Sequence, residues 1–167
     1  KHAKIDVSHN ASASEETLKK GSGNVSATSI SLNFDSTDNI LKPHDGFRSG
    51  LETEYAGIWG DFAFFKYSYI NSYYQKLWKK GTMKYRWDFK AIQPIWWTNQ
   101  PQDIPVSERF FVGGENSVRG YKPFDIGKHF DDGDPRGGIT SSVLSVEYLQ
   151  EVFSLMDAFT FIDAGSV

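Results

Sequence analysis

Few of the residues that usually carry catalysis or hold metal ions stand in a usable pattern in this sequence. The run Asp131-Asp132-Gly133-Asp134 has the carboxylates of a calcium loop, but it lacks the spaced oxygen ligands and the closing glutamate of an EF-hand, which favours a solvated loop. The sequence has no Ser/His/Asp arrangement, no glycine-rich phosphate loop and no cysteine. The histidines lack the spacing of metal ligands and are scattered as His2, His9, His44 and His129. The sequence therefore predicts neither an enzyme nor a bound metal or cofactor.

A more specific pattern lies in an irregular stretch of the second half of the chain. It reads Gly113-Gly114-Glu115-Asn116-Ser117-Val118-Arg119-Gly120-Tyr121, a single arginine among three glycines. Glycine lets a backbone approach another surface closely, and a planar guanidinium can bind a carboxylate through two parallel hydrogen bonds. Taken alone, however, an arginine in such a loop is most often an exposed surface charge. Its meaning depends on the elements that surround it.

The composition limits the classes of protein to consider. The 167 residues fit one domain, and a net charge of −3 gives no footprint for nucleic acid. Aromatic residues make up 16% of the chain although its mean hydropathy is negative, a combination that suits a β-sandwich or a membrane barrel. No run approaches the roughly eighteen apolar residues of a transmembrane helix. The chain opens with neither a methionine nor a signal peptide, and we interpret it as an excised fragment.

Period-two alternation recurs along the chain and predicts an all-β fold. In residues 82–91 apolar and aromatic side chains alternate strictly with charged ones, so that one face is apolar and the opposite face is ionic. Seven strands are predicted in a single domain that spans residues 1–167, at about residues 2–8, 27–35, 47–55, 62–74, 82–92, 140–149 and 158–165. The longest connection covers about residues 97–139, and a stretch of that size is either functional or disordered.

Strand lengths and connections both permit a membrane barrel. Most predicted strands approach the roughly 9 to 11 residues that a tilted strand needs to cross a bilayer. A long polar loop at 9–25 contrasts with shorter connections at 36–46, 75–81 and 150–157, and outer-membrane barrels alternate long and short connections in this way. A soluble β-sandwich produces the same alternation with its apolar face turned inward. Periodicity alone leaves both folds open.

Two motifs bring a family resemblance. The turn Pro43-His44-Asp45-Gly46 resembles the Pro-x-Asp-Gly periplasmic turn of BamA-type barrels, in which proline fixes φ and Asp-Gly supports chain reversal. Gly113-Gly114 followed by Val118-Arg119-Gly120-Tyr121 looks like the tip of the inward-folded sixth loop in this outer-membrane insertase, or bacterial surface antigen, superfamily. The resemblance covers essentially the whole chain. It implies a partial antiparallel transmembrane β-barrel, about seven strands of a roughly sixteen-stranded parent, with a long inward-folded loop.

The resemblance also implies roles for individual residues. In the family the tip arginine, here Arg119, reaches into the lumen and pairs with acidic residues on the barrel wall. The matching positions are Glu147 and Asp163. Both are expected on the face opposite the apolar residues of their strands and hence in the lumen. Tyr121 is expected to wedge the loop tip inside the barrel.

The function implied by the resemblance is the assembly and insertion of β-barrel proteins into the outer membrane. Expected partners are the outer-membrane lipid bilayer, unfolded β-barrel clients and accessory assembly lipoproteins that bind through POTRA domains. These domains and the last strand are expected to lie in the parent, outside this segment. No nucleic acid partner is expected.

Two alternatives stay open at this stage. A two-partner-secretion transporter, which exports one dedicated passenger, shares the Arg-Gly loop tip, although Asp45 in the turn favours the BamA type. A soluble β-sandwich binding module is the less favoured alternative.

Overall fold

The computed structural model describes residues 2–5, 23–78, 80–131, 133–153 and 156–167. These residues form one antiparallel sheet in which the strands follow one another in chain order. The predicted positions His9 and Asp132 and the predicted strand residues 6–8 lie outside this part of the chain. The strands are β1 (His2–Ile5), β2 (Gly23–Asp35), β3 (Gly46–Ala56), β4 (Phe64–Trp78), β5 (Gly81–Pro94), β6 (Thr140–Phe153) and β7 (Met156–Ser166).

The alternation of side chains continues across the whole sheet because neighbouring strands are in register. On β5, Lys84 stands opposite Glu147 of β6, and Tyr85 stands opposite Val146. One face of the sheet, which we call the inner face, therefore carries the ionic residues. The other, the outer face, carries aromatic and aliphatic side chains.

Much of the outer face is bare. Ile30 is 70% exposed and Ile162 is 77% exposed, and Leu32, Phe34 and Leu144 are also exposed. A soluble β-sandwich would cover such a face with a second sheet, and the described residues form a single sheet. The antiparallel all-β prediction is confirmed, and the arrangement is that of a barrel wall whose two edges are left open within these residues.

Several strands run further than the sequence predicts. β4 continues to Trp78 and β6 to Phe153, so that β4 and β5 are separated only by residues 79–80. Two consecutive polar residues interrupt the alternation in each strand, at 75–76 and at 150–151, and the prediction therefore stopped early. The structure nevertheless pairs Lys76 with Thr82 and Trp78 with Gly81, so that the backbone ladder continues beyond the polar residues.

The turn between β2 and β3 covers residues 36–45 and is organised by Asp38. Its Oδ1 accepts the backbone N–H groups of His44 at 2.8 Å and Asp45 at 3.1 Å. These two hydrogen bonds hold the pKa of Asp38 below its ordinary value. Gly46 closes the turn at φ +108°, where a Cβ would lie 2.5 Å from the carbonyl oxygen of Ser36. The Pro43, Asp45 and Gly46 motif thus forms a turn, but the carboxylate that closes it belongs to Asp38.

The main apolar core lies at the other end of the sheet, where residues 95–139 leave β5. It is built from aliphatic and aromatic side chains of β2 to β5, of the β3–β4 connection and of the long connection: Val25, Ala27, Ala56, Phe62, Phe64, Ile92, Ile104 and Phe110. Ile104 and Phe110 pack the base of the long connection onto the sheet, and this packing limits where its tip can reach. In the described part of the chain no helix is long and apolar enough to cross a membrane.

Candidate functional site

Residues 95–139 form a loop whose two limbs run back along each other. Short 3-10 turns at Pro101–Asp103 and Val106–Glu108 lead into the descending limb. Antiparallel bridges join Phe110 to Gly138 and Val112 to Ile126. The loop is therefore ordered, and its tip lies between Val112 and Ile126.

The tip is a tight turn that requires glycine. The backbone N–H of Gly114 donates to the carbonyl of Val118 at 3.1 Å, and that of Gly113 donates to Oγ of Ser117 at 2.8 Å. Gly113 has φ +118°, and a Cβ there would lie 2.5 Å from the carbonyl oxygen of Lys122 on the returning limb. Only glycine accepts both the backbone angle and the close approach.

Val118 seats the tip on the sheet. It is buried in a small cluster with Val112 of the loop and Val143 of β6. Beneath it lies Gly165 of β7, where a Cβ would lie 2.6 Å from Cγ2 of Val118. Val118 therefore fits against the wall only because residue 165 is a glycine, which has no side chain.

Arg119 follows directly and binds two strands of the wall. Its Nε and Nη2 donate to the two carboxylate oxygens of Asp163 on β7, each at 2.7 Å, and its backbone N–H donates to Asp163 Oδ2 at 3.0 Å. Its Nη1 lies 2.7 Å from Oε1 of Glu147 on β6. This is the bidentate geometry in which a guanidinium fixes direction as well as position.

Three further residues complete the arrangement. Oγ of Ser145 donates to Asp163 at 2.7 Å and accepts from Arg119 at 3.1 Å. The ring of Phe161 lies under the guanidinium, 3.6 Å from its Cζ to the ring centroid. Nζ of Lys84 on β5 donates to Glu147 at 3.0 Å. We refer to Arg119, Ser145, Glu147, Phe161 and Asp163 as the tip cluster.

The charged side chains of the tip cluster are largely shielded from water. The exposed fraction of the side chain is 2% for Asp163, 14% for Glu147 and 21% for Arg119. Lys84 adds a second cation beside Glu147, so two positive and two negative charges meet. Buried carboxylates are tolerable only when they are paired and hydrogen-bonded in this way.

A second contact holds the tip from β5. Nη1 of Arg86 donates to the carbonyl of Asn116 at 3.2 Å. The same guanidinium is paired with the buried carboxylate of Asp88 on its own strand. The tip is thus bound by three consecutive strands, β5, β6 and β7.

The structure brings most of the predicted site residues together. Val118, Arg119, Glu147 and Asp163 meet as expected, and Gly113, Gly114 and Gly120 all have positive φ. Tyr121 is 59% exposed, and its wedge role stays a prediction. The turn motif of Pro43, Asp45 and Gly46 lies at the end of the sheet opposite the base of the long loop, and it takes no part in the hydrogen bonds and ion pairs described here for the tip.

One expectation about the strand faces holds only in part. Glu147 lies opposite Leu144, Val146 and Tyr148 of β6, and Asp163 lies opposite Ile162 and Ala164 of β7. The inner face also carries apolar side chains, however: Val143 packs against the loop tip, and Phe161 stacks on Arg119. Sequence reasoning also missed Ser145 and Lys84. Ser145 and Phe161 each stand two residues before a predicted acid, and period-two spacing could have identified both.

Metal ligation finds no geometric support in the ranges that the structure describes. Within them no three side chains of the ligand types come close enough to hold an ion. His129 lies 3.2 Å from Asp125, and His44 lies 3.5 Å from Asp38.

Comparisons with known proteins agree with the geometry. The Omp85 superfamily domain matches residues 1–167. The chain is 30% identical over 134 residues to the outer membrane protein assembly factor BamA of Nitratidesulfovibrio vulgaris, covering 78% of this chain and 16% of that protein. Its fold is similar to the crystal structure of BamA from Haemophilus ducreyi lacking POTRA domains 1–3, with a TM-score of 0.73 at 17% identity, over 84% of this chain and 29% of that one. The chain thus spans less than a third of either relative.

Proposed function

Since the chain belongs to the Omp85 superfamily of integral outer-membrane β-barrel proteins, we propose that it forms the loop-bearing part of a barrel that assembles and inserts other β-barrel proteins. The observation that supports this proposal is the tip cluster, in which Arg119 joins a long loop to Glu147 and Asp163 on adjacent strands. The similarity to two BamA proteins favours the insertase over other members of the superfamily.

The physical task of an insertase explains why a barrel suits it. An incoming strand carries backbone N–H and C=O groups that lipid cannot satisfy, and each unsatisfied group costs several kcal/mol. A barrel edge exposed in the membrane can pair with that strand and satisfy the groups as they enter. In this proposal no covalent bond of the client is made or broken.

In this proposal the loop keeps the barrel in a competent shape. The tip binds β5, β6 and β7 at once, so it resists changes in the relative position of these strands. The proposed partners are the outer-membrane bilayer, unfolded β-barrel clients and assembly lipoproteins that bind the POTRA domains of the full-length protein.

The proposal is tested in a bacterium whose own copy of the gene is depleted and replaced by a plasmid copy. Arg119→Ala is compared with wild type and with Lys122→Ala, which removes an exposed cation from the same loop. We expect Arg119→Ala to lower the amounts of several unrelated outer-membrane barrel proteins, and Lys122→Ala to leave them unchanged. Loss of a single exported passenger with normal barrel proteins would identify a two-partner-secretion transporter instead.

A further inference from the structure

The base of the long loop carries its own set of polar contacts, separate from the tip cluster. Glu108 ends the 3-10 turn Val106–Glu108 and is buried. Nζ of Lys66 on β4 donates to the carbonyl oxygen of Glu108 at 2.9 Å and to its Oε2 at 3.2 Å. One ammonium group therefore binds both the backbone and the side chain of a single loop residue.

The next residue, Arg109, ties the two limbs of the loop together. Its guanidinium donates to the carbonyl oxygens of Gln102 at 3.2 Å, Ile104 at 3.0 Å and Arg136 at 3.3 Å. Arg136 belongs to the returning limb, so this third hydrogen bond crosses from one limb to the other. Burial lowers the pKa of Arg109, with the positive charge of Arg136 as a smaller cause.

Phe110 then fixes the base to the core. Its backbone N–H and C=O both pair with Gly138, each at 2.9 Å. Its ring is buried in the main core, with Nζ of Lys66 at 5.3 Å and Nζ of Lys90 at 6.0 Å from the centroid. Three consecutive residues thus bind the wall, the returning limb and the core, and we call Lys66, Glu108, Arg109 and Phe110 the base cluster.

The base cluster has a consequence for the tip. A guanidinium fork requires placement within fractions of an ångström, and a long free loop loses conformational entropy when its tip is held in one place. When the base cluster and its partners hold residues 108–110 and 136–138 in place, the tip cluster has to order only the residues between these two ranges. Only Phe111, Val112 and the tip turn separate the two clusters on the descending limb.

We propose that Lys66 and Glu108 are positioning residues: their ion pair fastens the base of the loop to β4 and thereby aligns Arg119 with Asp163 and Glu147. The pair determines how the loop docks on the wall, and this role does not depend on which client the barrel serves. It can be tested independently of the proposed insertase function, by measuring the position of the tip directly.

The test measures how accessible the tip is to a small thiol reagent. Val118→Cys is introduced at the buried seat of the tip in the full-length protein, and the segment described here contains no other cysteine. The rate of modification by a methanethiosulfonate reagent is measured in outer membranes, with Lys66→Met, Glu108→Gln or both added to the Val118→Cys background. Lys90→Met is the matched control, because Lys90 also lies near the Phe110 ring on the inner face.

We expect Lys66→Met to raise the modification rate at least about fivefold, since losing a charge-assisted contact to a buried group frees the base. Glu108→Gln should raise it less, because Lys66 keeps the backbone carbonyl of residue 108. The double variant should match Lys66→Met alone, the non-additivity of a direct pair. Lys90→Met should stay within about twofold of the background.

Heat-modifiable migration on gels checks that each variant is folded. If Lys66→Met does not fold, Glu108→Gln carries the test, because the amide keeps the shape of the side chain. An unchanged modification rate in every folded variant would overturn the proposal. So would an equal rise in Lys90→Met, since the effect would then come from any loss of positive charge on the inner face.

Discussion

Replacing Arg119 by methionine removes the guanidinium and keeps most of the apolar stem. Asp163, with 2% of its side chain exposed, then loses both side-chain hydrogen bonds from the fork and retains the hydroxyl of Ser145 and the backbone N–H of residue 119. Glu147 retains Lys84. Breaking a buried ion pair costs about 3 to 5 kcal/mol, and the surviving donors place this variant near the lower end, at about 3 kcal/mol.

The magnitude is measured by equilibrium unfolding of the full-length protein in lipid vesicles, with denaturant midpoints read from heat-modifiable migration. Asp163→Asn and the double variant Arg119→Met/Asp163→Asn complete a double-mutant cycle. Because the amide removes the unpaired charge, the double variant should be less destabilised than the sum of the two single variants by about 2 kcal/mol.

Two outcomes would refute this reasoning. A loss of less than about 1 kcal/mol in Arg119→Met would mean that water screens the tip cluster as it screens a surface pair. Strict additivity in the cycle would mean that Arg119 and Asp163 do not stabilise each other. Lys122→Met, an exposed cation on the same loop, serves as the control and should change the free energy of unfolding by less than about 0.5 kcal/mol.

Three other predictions follow from the glycine geometry, the turn and an exposed ion pair. Gly113→Ala should undock the tip, because its Cβ would lie 2.5 Å from a backbone oxygen, whereas the Cβ of Gly120→Ala meets no atom within 4 Å and only its φ of +89° is strained. With Val118→Cys as the background, the rate of thiol modification should rise clearly more for Gly113→Ala than for Gly120→Ala. Equal rates would contradict this. Asp38→Asn should lower the thermal midpoint at neutral pH. The turn N–H groups lower the pKa of Asp38 in the folded state, so the stabilisation by its carboxylate is present above the unfolded pKa of about 3.9 and is lost as the pH falls through the folded pKa. The thermal midpoints of variant and wild type should therefore converge in acid. A constant difference between them at all pH values would be inconsistent with a role for the carboxylate. Lys42→Ala removes the 2.8 Å pair with Asp157, which is partly exposed on both sides, and should leave the denaturant midpoint nearly unchanged because water screens an exposed pair. A clear fall in the midpoint would show that this pair is shielded in the full-length protein.

The fold could be predicted in strands where polar and apolar residues alternate regularly. Alternation along β5 is nearly perfect, and both its strand character and its two faces follow from the sequence alone. The ends of β4 and β6 could not be placed, because the two consecutive polar residues that precede each end look the same in a strand as in a loop. Cross-strand pairing, which extends the ladder to Lys76, is a property of the partner strand.

Part of the candidate site could likewise be predicted from the sequence, and part of it could not. The loop motif and the two acids could be identified through resemblance, but Ser145 and Lys84 carry no motif of their own. Lys84 becomes part of the site only because the register places it opposite Glu147. Phe161 also carries no motif, and its role becomes visible only where its ring lies under the guanidinium of Arg119 as a platform for a cation.

The base cluster illustrates a further limit. Lys66 and Glu108 are far apart in the chain, and neither residue belongs to a recognisable pattern. Their contact depends on where the 3-10 turn Val106–Glu108 lies against β4, which only the folded chain reveals.

The central claim is that fastening the loop tip to the wall supports the insertion of client barrels. It is tested most directly by reconstituting the full-length protein into lipid vesicles and following the folding rate of an unfolded β-barrel client through its heat-modifiable band. Wild type and Lys122→Met should accelerate client folding equally over empty vesicles, and Arg119→Met, inserted in equal amount, should lose most of that acceleration. Equal acceleration by wild type and Arg119→Met would contradict the account.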